Sequence, residues 1–483
     1  MRKVLFLLIL IASSSLAQTG VYVPQLAAFD AAMTNLLSTY GIPGGQLALT
    51  YQGRLVYNRG FGMADVASQT PVQPNSVFRI ASISKPITAV AIMKLYEQGL
   101  ISLDAKVFGA TGILNDAAYQ NILDPQVTNI TVRNLLQHTG GWNRNISGDP
   151  MFNSYAIATT MAVTPPADPS TVVKYMLQYK MLDFAPGTQS QYSNFGYCVL
   201  GRIIEKISGL SYDDYVTNNV FQPAGISNIN LGSNLSSQLA NEVTYYDYPG
   251  APLAASVYNN STMVPWPYGG FNLEAMDAHG GWVSSAEDLC KLLVAIDKFS
   301  TKPDILLPAT IDTMVKPSAQ DPYYSCGFGV NAFNNWWHAG SLPGTSTEFV
   351  RAGNQQLNWA IMTNYRPANA NNLLTDIDNL VWNNLASVAS WPTNDLFTGI
   401  SDHSTSSIVM YPMPADDFIH VKISENLSVS GNVYIYNGVG ELVSVTSLTN
   451  DKISVADLHE GMYIIKVVTE KEIYSRKIII KHH

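Results

Sequence analysis

The sequence predicts an α/β body built on one sheet closed by strands from its two ends, with a helical subdomain inserted, followed by a small all-β sandwich. Three observations predict it. Strand-like segments stand near both ends of the first four hundred residues, and helical periodicities fill the interval between them. Composition changes near residue 400: all eight tryptophans and all three cysteines lie at or before Trp391, and charge density roughly doubles after Ile408. From there apolar residues alternate at period two.

The chain has 483 residues, enough for two or three domains with a sizeable core. It opens with Met1-Arg2-Lys3, an almost wholly apolar run from Val4 to Ala12, and Ser13-Ser14-Ser15-Leu16-Ala17. This reads as a secretory signal peptide over residues 1–17, cleaved after Ala17. The apolar run is too short to span a bilayer. No cysteine follows the cleavage region, and no later segment looks membrane-spanning, so no stable membrane insertion is expected.

The body is expected over residues 18–390. Leu26 to Tyr40 has amphipathic helical spacing. Gln46 to Tyr51, a turn at Gln52-Gly53, and Leu55 to Tyr57 form a hairpin. Helical patterns recur at Ser82 to Gln98, Thr131 to Gln137, Asn194 to Ile207 and Ala286 to Ile296. Glu242 to Phe271 is loop-like and rich in aromatics and prolines, a length at which function is common and packing commoner. Strands return at Phe328 to Val330, Ser346 to Arg351 and Asn358 to Thr363. A linker rich in Ser, Thr, Asp and Asn follows over 391–407. The tail, 408–483, pairs Asn432–Tyr436 with Glu441–Val445 through an Asn437-Gly438 turn, and Gly461–Val468 with Tyr474–Ile480.

Composition narrows the function. Without Arg2 and Lys3 the chain carries 25 basic against 36 acidic residues and no Lys/Arg cluster, which argues against nucleic acid as a partner. Cys198 and Cys290 lie in apolar helical patterns and read as buried thiols, and Cys326 could pair with one of them. No histidines have metal-ligand spacing apart from the terminal His482-His483, which reads as a solvated end, so no metal or cofactor is expected.

The chemistry points to Ser82-Ile83-Ser84-Lys85, the one Ser-x-x-Lys in the chain, at the start of a helical pattern. Residues i and i+3 share a helix face, so the Lys85 amine can lie beside the Ser82 oxygen. A serine needs such a base to act as a nucleophile near neutral pH, and a helix N-terminus favours an oxyanion beside it. Tyr192-Ser193-Asn194 stands at the entrance of the next helix, and His338-Ala339-Gly340-Ser341 precedes a strand. Tyr-x-Asn recurs at Tyr119 and Tyr258, and His-x-Gly at His138 and His279, so context and order select Tyr192 and His338.

Together these segments resemble the serine β-lactamase and penicillin-binding-protein superfamily, in its class C-like branch. That branch also holds D-alanyl-D-alanine carboxypeptidases, D-aminopeptidases and esterases. Leu135-Leu136-Gln137-His138-Thr139-Gly140-Gly141 resembles its Leu-Leu-x-His-Thr-Ser-Gly run. Gly280-Gly281-Trp282-Val283-Ser284-Ser285-Ala286-Glu287-Asp288-Leu289 resembles its Gly-Gly-x-x-Ser-Thr-x-x-Asp-Leu run. The resemblance covers about Leu26 to Leu385 and implies an antiparallel sheet with flanking helices plus a helical subdomain. It implies Ser82 as acylated nucleophile, Lys85 as the group that supports its deprotonation, and Tyr192 as proton carrier to the leaving group. That last role needs a depressed tyrosine pKa or a proton shared with Lys85. Asn194 would hold a substrate amide or cap its helix, and the backbone N–H groups of Ser82 and Ser341, with Gly340 beside them, would form the oxyanion hole.

His338 departs from the pattern, since class C β-lactamases carry a lysine there. A histidine is mostly neutral at pH 7 and offers one hydrogen bond in place of a permanent charge. His138 and His279 read as structural. In the tail, Tyr411-Pro412-Met413-Pro414 and the segment from Gly461 to Lys481 resemble the C-terminal sorting domain of the type IX secretion system of Bacteroidetes, which has asparagine where Met413 stands.

The expectation is a secreted or cell-surface serine hydrolase, of peptidase or esterase type, acting on a small-molecule or peptide substrate through an acyl-enzyme on Ser82. Its tail would engage the type IX machinery. The rivals are a true class C-like β-lactamase and an inactive penicillin- or peptidoglycan-binding protein. An α/β-hydrolase is disfavoured because no Gly-x-Ser-x-Gly occurs.

Overall fold

A computed structural model describes residues 17–235, 239–397, 408–411, 415–423, 432–437, 442–448, 452–468 and 473–482. The expected signal peptide up to Leu16, most of the expected linker, Pro412-Met413-Pro414 and the glycine of the Asn437-Gly438 turn lie outside the described residues. The chain divides into two compact units between Leu396 and Phe397.

The first unit is built on an antiparallel sheet. Its strands run in the order Gln18–Gly20, Arg54–Asp65, Gly44–Tyr51, Leu357–Thr363, Thr345–Ala352, Asn335–Leu342 and Gly329–Val330. The N-terminal hairpin therefore pairs with the last strand of the body, Leu47 opposite Ile361, and closes the sheet as its sequence position predicts. Gly44–Tyr51 and Leu357–Thr363 are buried along almost their whole length, which explains why they read as continuous apolar runs. Helices Ala27–Tyr40 and Ala370–Asn384 cover one face through Phe29, Met33, Leu373 and Ile377. Helix Ala286–Val294 packs on the other face, against Gly44–Tyr51 and Leu357–Thr363, and helix Ser84–Glu97 is buried from Ser84 to Met93 among the neighbouring helices.

Several elements differ from the expectation, and three of them show why. The segment around His338 does not merely precede a strand. It lies inside one, Asn335–Leu342, whose residues alternate between buried and half-buried. Helix Pro169–Tyr179 was not anticipated, although Asp168 caps it by accepting the Thr171 amide at 2.8 Å and Pro169 opens it. Helix Ala370–Asn384 was also missed. Leu373, Ile377, Leu380 and Val381 have helical spacing, but the asparagines among them are weak helix formers that mask it.

The loop-like stretch from Glu242 to Phe271 works as packing. It holds short strand pairs, and it surrounds the buried Arg79 guanidinium, which donates to the Pro267 carbonyl at 2.6 Å and lies 4.3 Å from the Tyr245 ring centre. Arg79 thereby braces the strand Phe78–Arg79 that leads into the site. All three cysteines are buried and free, so Cys326 forms no disulfide.

The second unit is all-β. One sheet orders Ile408–Tyr411, Phe418–Ile423 and Lys452–Ser454, and the other orders Leu442–Ser447, Asn432–Asn437, Gly461–Val468 and Ile473–Ile480. Ile419, Val433, Ile435, Ile465, Val467 and Ile478 are among the residues of its core. His482 is not a simply solvated end: its Nε2 donates to the Leu458 carbonyl at 2.7 Å, and its Nδ1 lies 3.3 Å from Asp416 Oδ1. Both contacts raise its pKa.

Candidate active site

From Ser76 to Met93 every residue is buried except Ser82. Ser82 lies in a 3-10 turn, Ala81–Ile83, immediately before the α-helix, which begins at Ser84 and not at Ser82. Ala81 holds φ at +49°, a left-handed conformation unusual for alanine. The surroundings enforce it: the Ile80 amide donates to the Trp282 carbonyl at 3.0 Å, and Thr347 Oγ1 donates to the Ile80 carbonyl at 3.0 Å. Gly340 presses against the same turn. A Cβ there would stand 2.4 Å from both the Ile80 oxygen and Thr347 Oγ1. The strand and the Ser82 turn can approach this closely only with glycine at 340.

Ser82 Oγ is touched from two sides. Tyr192 Oη donates to it at 2.7 Å, and Lys85 Nζ lies 3.1 Å away while donating to the His279 carbonyl at 2.8 Å. Lys85 is fully buried. Burial holds its amine well below the ordinary lysine value, Asp149 opposing and Arg144 adding to the effect. Burial raises the Tyr192 phenol, against the hydrogen bond to Ser82 and the charge of Arg144, which lower it. A depressed tyrosine is therefore not what this site contains. The depressed group is the lysine.

Tyr192 and Asn194 flank Ser193, and it is Ser193 that caps helix Asn194–Ser208, accepting the Gly196 amide at 3.0 Å. Asn194 is freed from capping. Its Nδ2 donates to Asp149 Oδ2 at 2.6 Å, and its Oδ1 stays buried without a partner. An orphaned acceptor at a cavity wall is suited to a ligand N–H.

Ser82, Tyr192, Asn194, His338, Gly340 and Ser341 all line one cavity of about 430 Å³, with Lys85 beneath it. His338 sits at the wall, and its one neutral-state N–H is directed at a neighbour: Nδ1 donates to the Ala339 carbonyl at 2.7 Å. Burial, with Lys85 adding to it, pushes the imidazole pKa down to about 3. Sequence reasoning missed Arg144, Asp149 and Tyr324. Arg144 and Tyr324 come from segments with no local signal, while Asp149 caps the 3-10 turn Pro150–Phe152, and only the tertiary fold brings the first two to the cavity and Asp149 to Asn194. Arg144 stacks over the Tyr192 ring at 4.8 Å. His138 also packs on that ring, at 4.5 Å. Among the described residues, one group could gather around a metal ion, Asp416, Asp417 and His482, in the tail unit.

Comparison with known proteins agrees with this architecture. A family model described as Beta-lactamase matches residues 29–379, and one described as Secretion system C-terminal sorting domain matches residues 409–481. A probable fimbrial assembly protein FimD, serogroup H1, of Dichelobacter nodosus is 30% identical over 312 residues, 63% of this chain and 70% of that protein. Penicillin-binding protein 4* of Bacillus subtilis (strain 168) is 33% identical over 175 residues, 36% of this chain and 35% of that protein, so this chain spans about a third of its length. A D-amino acid amidase from Ochrobactrum anthropi SV3 superposes with a TM-score of 0.59 at 19% identity, over 74% of this chain and 99% of the amidase, a likeness of fold. No helix among the described residues is long and apolar enough to cross a membrane. With the family model matching well over half of its length, the chain belongs to the β-lactamase family.

Proposed function

We propose that the protein is a serine hydrolase working through an acyl-enzyme on Ser82, of peptidase type toward D-amino peptides or of esterase type. The observation that carries this reading is one oxygen, Ser82 Oγ, held between a buried lysine with a lowered pKa and a buried tyrosine with a raised one. A lowered pKa favours the free amine of the lysine, the form that can accept a proton. Tyrosine with a raised pKa keeps its proton and can give one.

The steps balance as follows. Lys85 Nζ takes the Ser82 proton as Oγ bonds to the substrate carbonyl carbon, and the carbonyl π pair moves to oxygen. Backbone N–H groups of Ser82 and Ser341 are assigned to that oxyanion. As the tetrahedral species collapses, the bond to the leaving nitrogen or oxygen breaks, and that atom takes the Tyr192 proton. The Lys85 ammonium then restores the tyrosine, so one proton has passed from serine to leaving group. Water repeats the cycle in reverse to release the acid. Asn194 Oδ1 is assigned to an N–H of the acyl chain.

His338 supports the substrate preference. Neutral, and with its N–H given to Ala339, it offers no fixed charge to a substrate carboxylate, whereas a lysine at that place would. Small esters and D-amino peptides are therefore favoured over cephalosporins. The D-amino acid amidase of like fold and the penicillin-binding relative are consistent with that class. The sorting-domain match supports export through the type IX system to the surface or medium. To test the chemistry, the protein is incubated with a fluorophosphonate and peptide-mapped. Label on the Ile80–Lys85 segment, abolished by Ser82→Ala, is expected, and label that survives that substitution overturns the assignment.

A further inference from the structure

We propose that Tyr324 is a positioning residue of the cleft, its hydroxyl tying the Tyr192–Asn194 wall to the Ala339–Ser341 wall through His138 and His338 in a single arrangement of protons. The chain of contacts begins at the Ser193 backbone amide, 3.2 Å from His138 Nδ1. It continues from His138 Nε2 to Tyr324 Oη at 3.1 Å, from Tyr324 Oη to His338 Nε2 at 3.3 Å, and ends with His338 Nδ1 at the Ala339 carbonyl, 2.7 Å away.

Both ends of this chain have fixed polarity. A backbone N–H only donates, so His138 Nδ1 must accept and carry no proton. A neutral imidazole then carries its proton on Nε2, which donates to the Tyr324 oxygen. At the other end a carbonyl only accepts, so His338 Nδ1 must carry the proton and Nε2 must be bare. The tyrosine hydroxyl therefore receives from His138 and gives to His338. The assignment meets in the middle: Tyr324 is also hydrogen-bonded with the Tyr197 hydroxyl, whose own proton goes to the Leu136 carbonyl at 2.8 Å, but bare His338 Nε2 is the stronger acceptor for the one Tyr324 proton. Reversing it would set the Ser193 N–H against an N–H and the Ala339 oxygen against a lone pair, in a place where both rings are buried, 3% and 7% exposed.

The two ends of the chain lie beside working groups. Ser193 stands between Tyr192 and Asn194, and Ala339 directly precedes Gly340 and Ser341. His138 also supports the Tyr192 ring from behind, 4.5 Å between centres, and the Tyr324 ring lies tilted against His138 at 4.8 Å. Protonating either imidazole breaks the pattern, because each ring then offers a second N–H where an acceptor is needed. The groups facing the chain are Lys85 toward both histidines, Arg144 toward His138, and Tyr192, Tyr197, Cys326 and Asp321 toward Tyr324. Only its kinetic consequence rests on Ser82 being the nucleophile. The proton pattern itself does not.

The test uses the full chain labelled with ¹⁵N-histidine. Ring-nitrogen shifts should show the Nε2–H tautomer for His138 and the less usual Nδ1–H tautomer for His338 at neutral pH. Finding His338 protonated on Nε2, or either ring cationic, overturns the proposal. In Tyr324→Phe both rings lose their shared partner, and their signals should become mixtures of tautomers. On a test ester, kcat should fall up to about a hundredfold with KM little changed, the range for slight misplacement of reacting groups. The acid limb of kcat should move to higher pH, because bare His338 Nε2 loses its donor. A Tyr324→Phe protein with native tautomers and native kcat also overturns it. Should that variant fail to fold, the native spectrum alone still decides. If Ser82→Ala retains turnover while the tautomers are as expected, the acyl-enzyme reading has failed and the positioning chain has not.

Discussion

The two units of this chain bury different things. Every buried polar or charged side chain among the described residues lies in the first unit, up to Asn364, and these include Lys85, His138, Asn194, His279, His338 and Glu348. The core of the second is apolar throughout, Ile419, Val433, Ile435 and Ile465 among it. Buried polarity opposes folding unless it is partnered. A fold that keeps so much of it has been shaped by something besides stability, and part of it, Lys85, His138, Asn194 and His338, lies at or next to the Ser82 cavity. The tail, with a plain apolar core between its sheets, shows what the same chain builds where no chemistry is required.

The largest expected effects test the polar cluster directly. Ser82→Ala should abolish turnover. Lys85→Ala and Tyr192→Phe should each lower kcat by about two or more orders of magnitude, the range for a positioned proton-transfer group. Thermal unfolding should be largely unchanged for Tyr192→Phe, because the ring and its contacts with His138 and Arg144 remain. Wild-type turnover of an ester by either variant would break the comparison, for the buried lysine and tyrosine would then be incidental.

A second test acts through shape. In Gly340→Ala the added methyl meets the Ile80 carbonyl and Thr347 Oγ1 at 2.4 Å. Neither can yield easily, because Ile80 is held by Trp282 and Thr347 lies on a buried strand. The expected loss is about 1–3 kcal/mol, as for overpacking, together with a fall in kcat as the Ser82 turn is displaced. A crystal structure or a melting curve measures the first and ester kinetics the second. Unchanged values in both would show that the close approach is not needed.

How legible was this in the sequence? The Ser82–Lys85 pair was, because i and i+3 on a helix start are neighbours by local geometry alone. Tyr192 and Asn194 were legible as a helix entrance, but the cap belongs to Ser193 between them, a distinction that depends on side-chain rotamers. Tyr324 carried no signal, and Asp149 signalled only the cap of a short turn before Pro150. Their contacts with Asn194 and with the two histidines exist only after distant loops fold together. The sheet was legible through its buried central strands. Strand Asn335–Leu342 was hidden because glycine and serine at 340 and 341, which the close approach and the cleft require, are poor strand formers. Close packing there overrides local propensity.

A smaller effect separates the units by pH. Glu348 is 3% exposed and its Oε2 has no partner, and burial, with Asp378 adding to it, raises its carboxyl pKa well above the usual value. A carboxyl raised in the folded state contributes stability below its unfolded pKa of about 4.3, and that stability drains away as pH rises through the folded value. Glu348→Gln should therefore raise the melting temperature of the first unit at pH 8, by a margin that shrinks as pH falls toward 4. The buried histidines act in the opposite sense. Their lowered pKa values, His338 down to about 3, give stability above about 6.5 that is lost as pH falls. No buried titratable group of this kind is described in the second unit, so its melting should be flatter across the same range. Differential scanning calorimetry at several pH values measures both.

The smallest expected effect is none at all, and it concerns where one unit ends. A cut at Leu385 to Trp391, which the composition change alone would suggest, removes groups the first unit uses. Trp391 stacks on Tyr51 at 4.8 Å, Asp395 accepts the Leu55 amide at 2.9 Å and pairs with Lys302, and the Leu396 amide donates to the Leu55 carbonyl at 2.7 Å. Leu55 lies on Arg54–Asp65, a strand of the main sheet, so the expected linker starts with residues that are part of the body. A chain ending after Phe397 keeps these contacts and every group proposed for acyl transfer. Its kcat should equal that of the full chain to within about a factor of two, as for a domain with its own core. A chain ending at Leu385 should instead melt lower. In a host with a type IX system, the chain ending at Phe397 should stay in the periplasm, fully active and unsecreted. Two results would count against this: loss of kcat after the cut at Phe397, which would tie the apolar unit to the chemistry, or normal secretion without the tail, which would leave its sorting role without support.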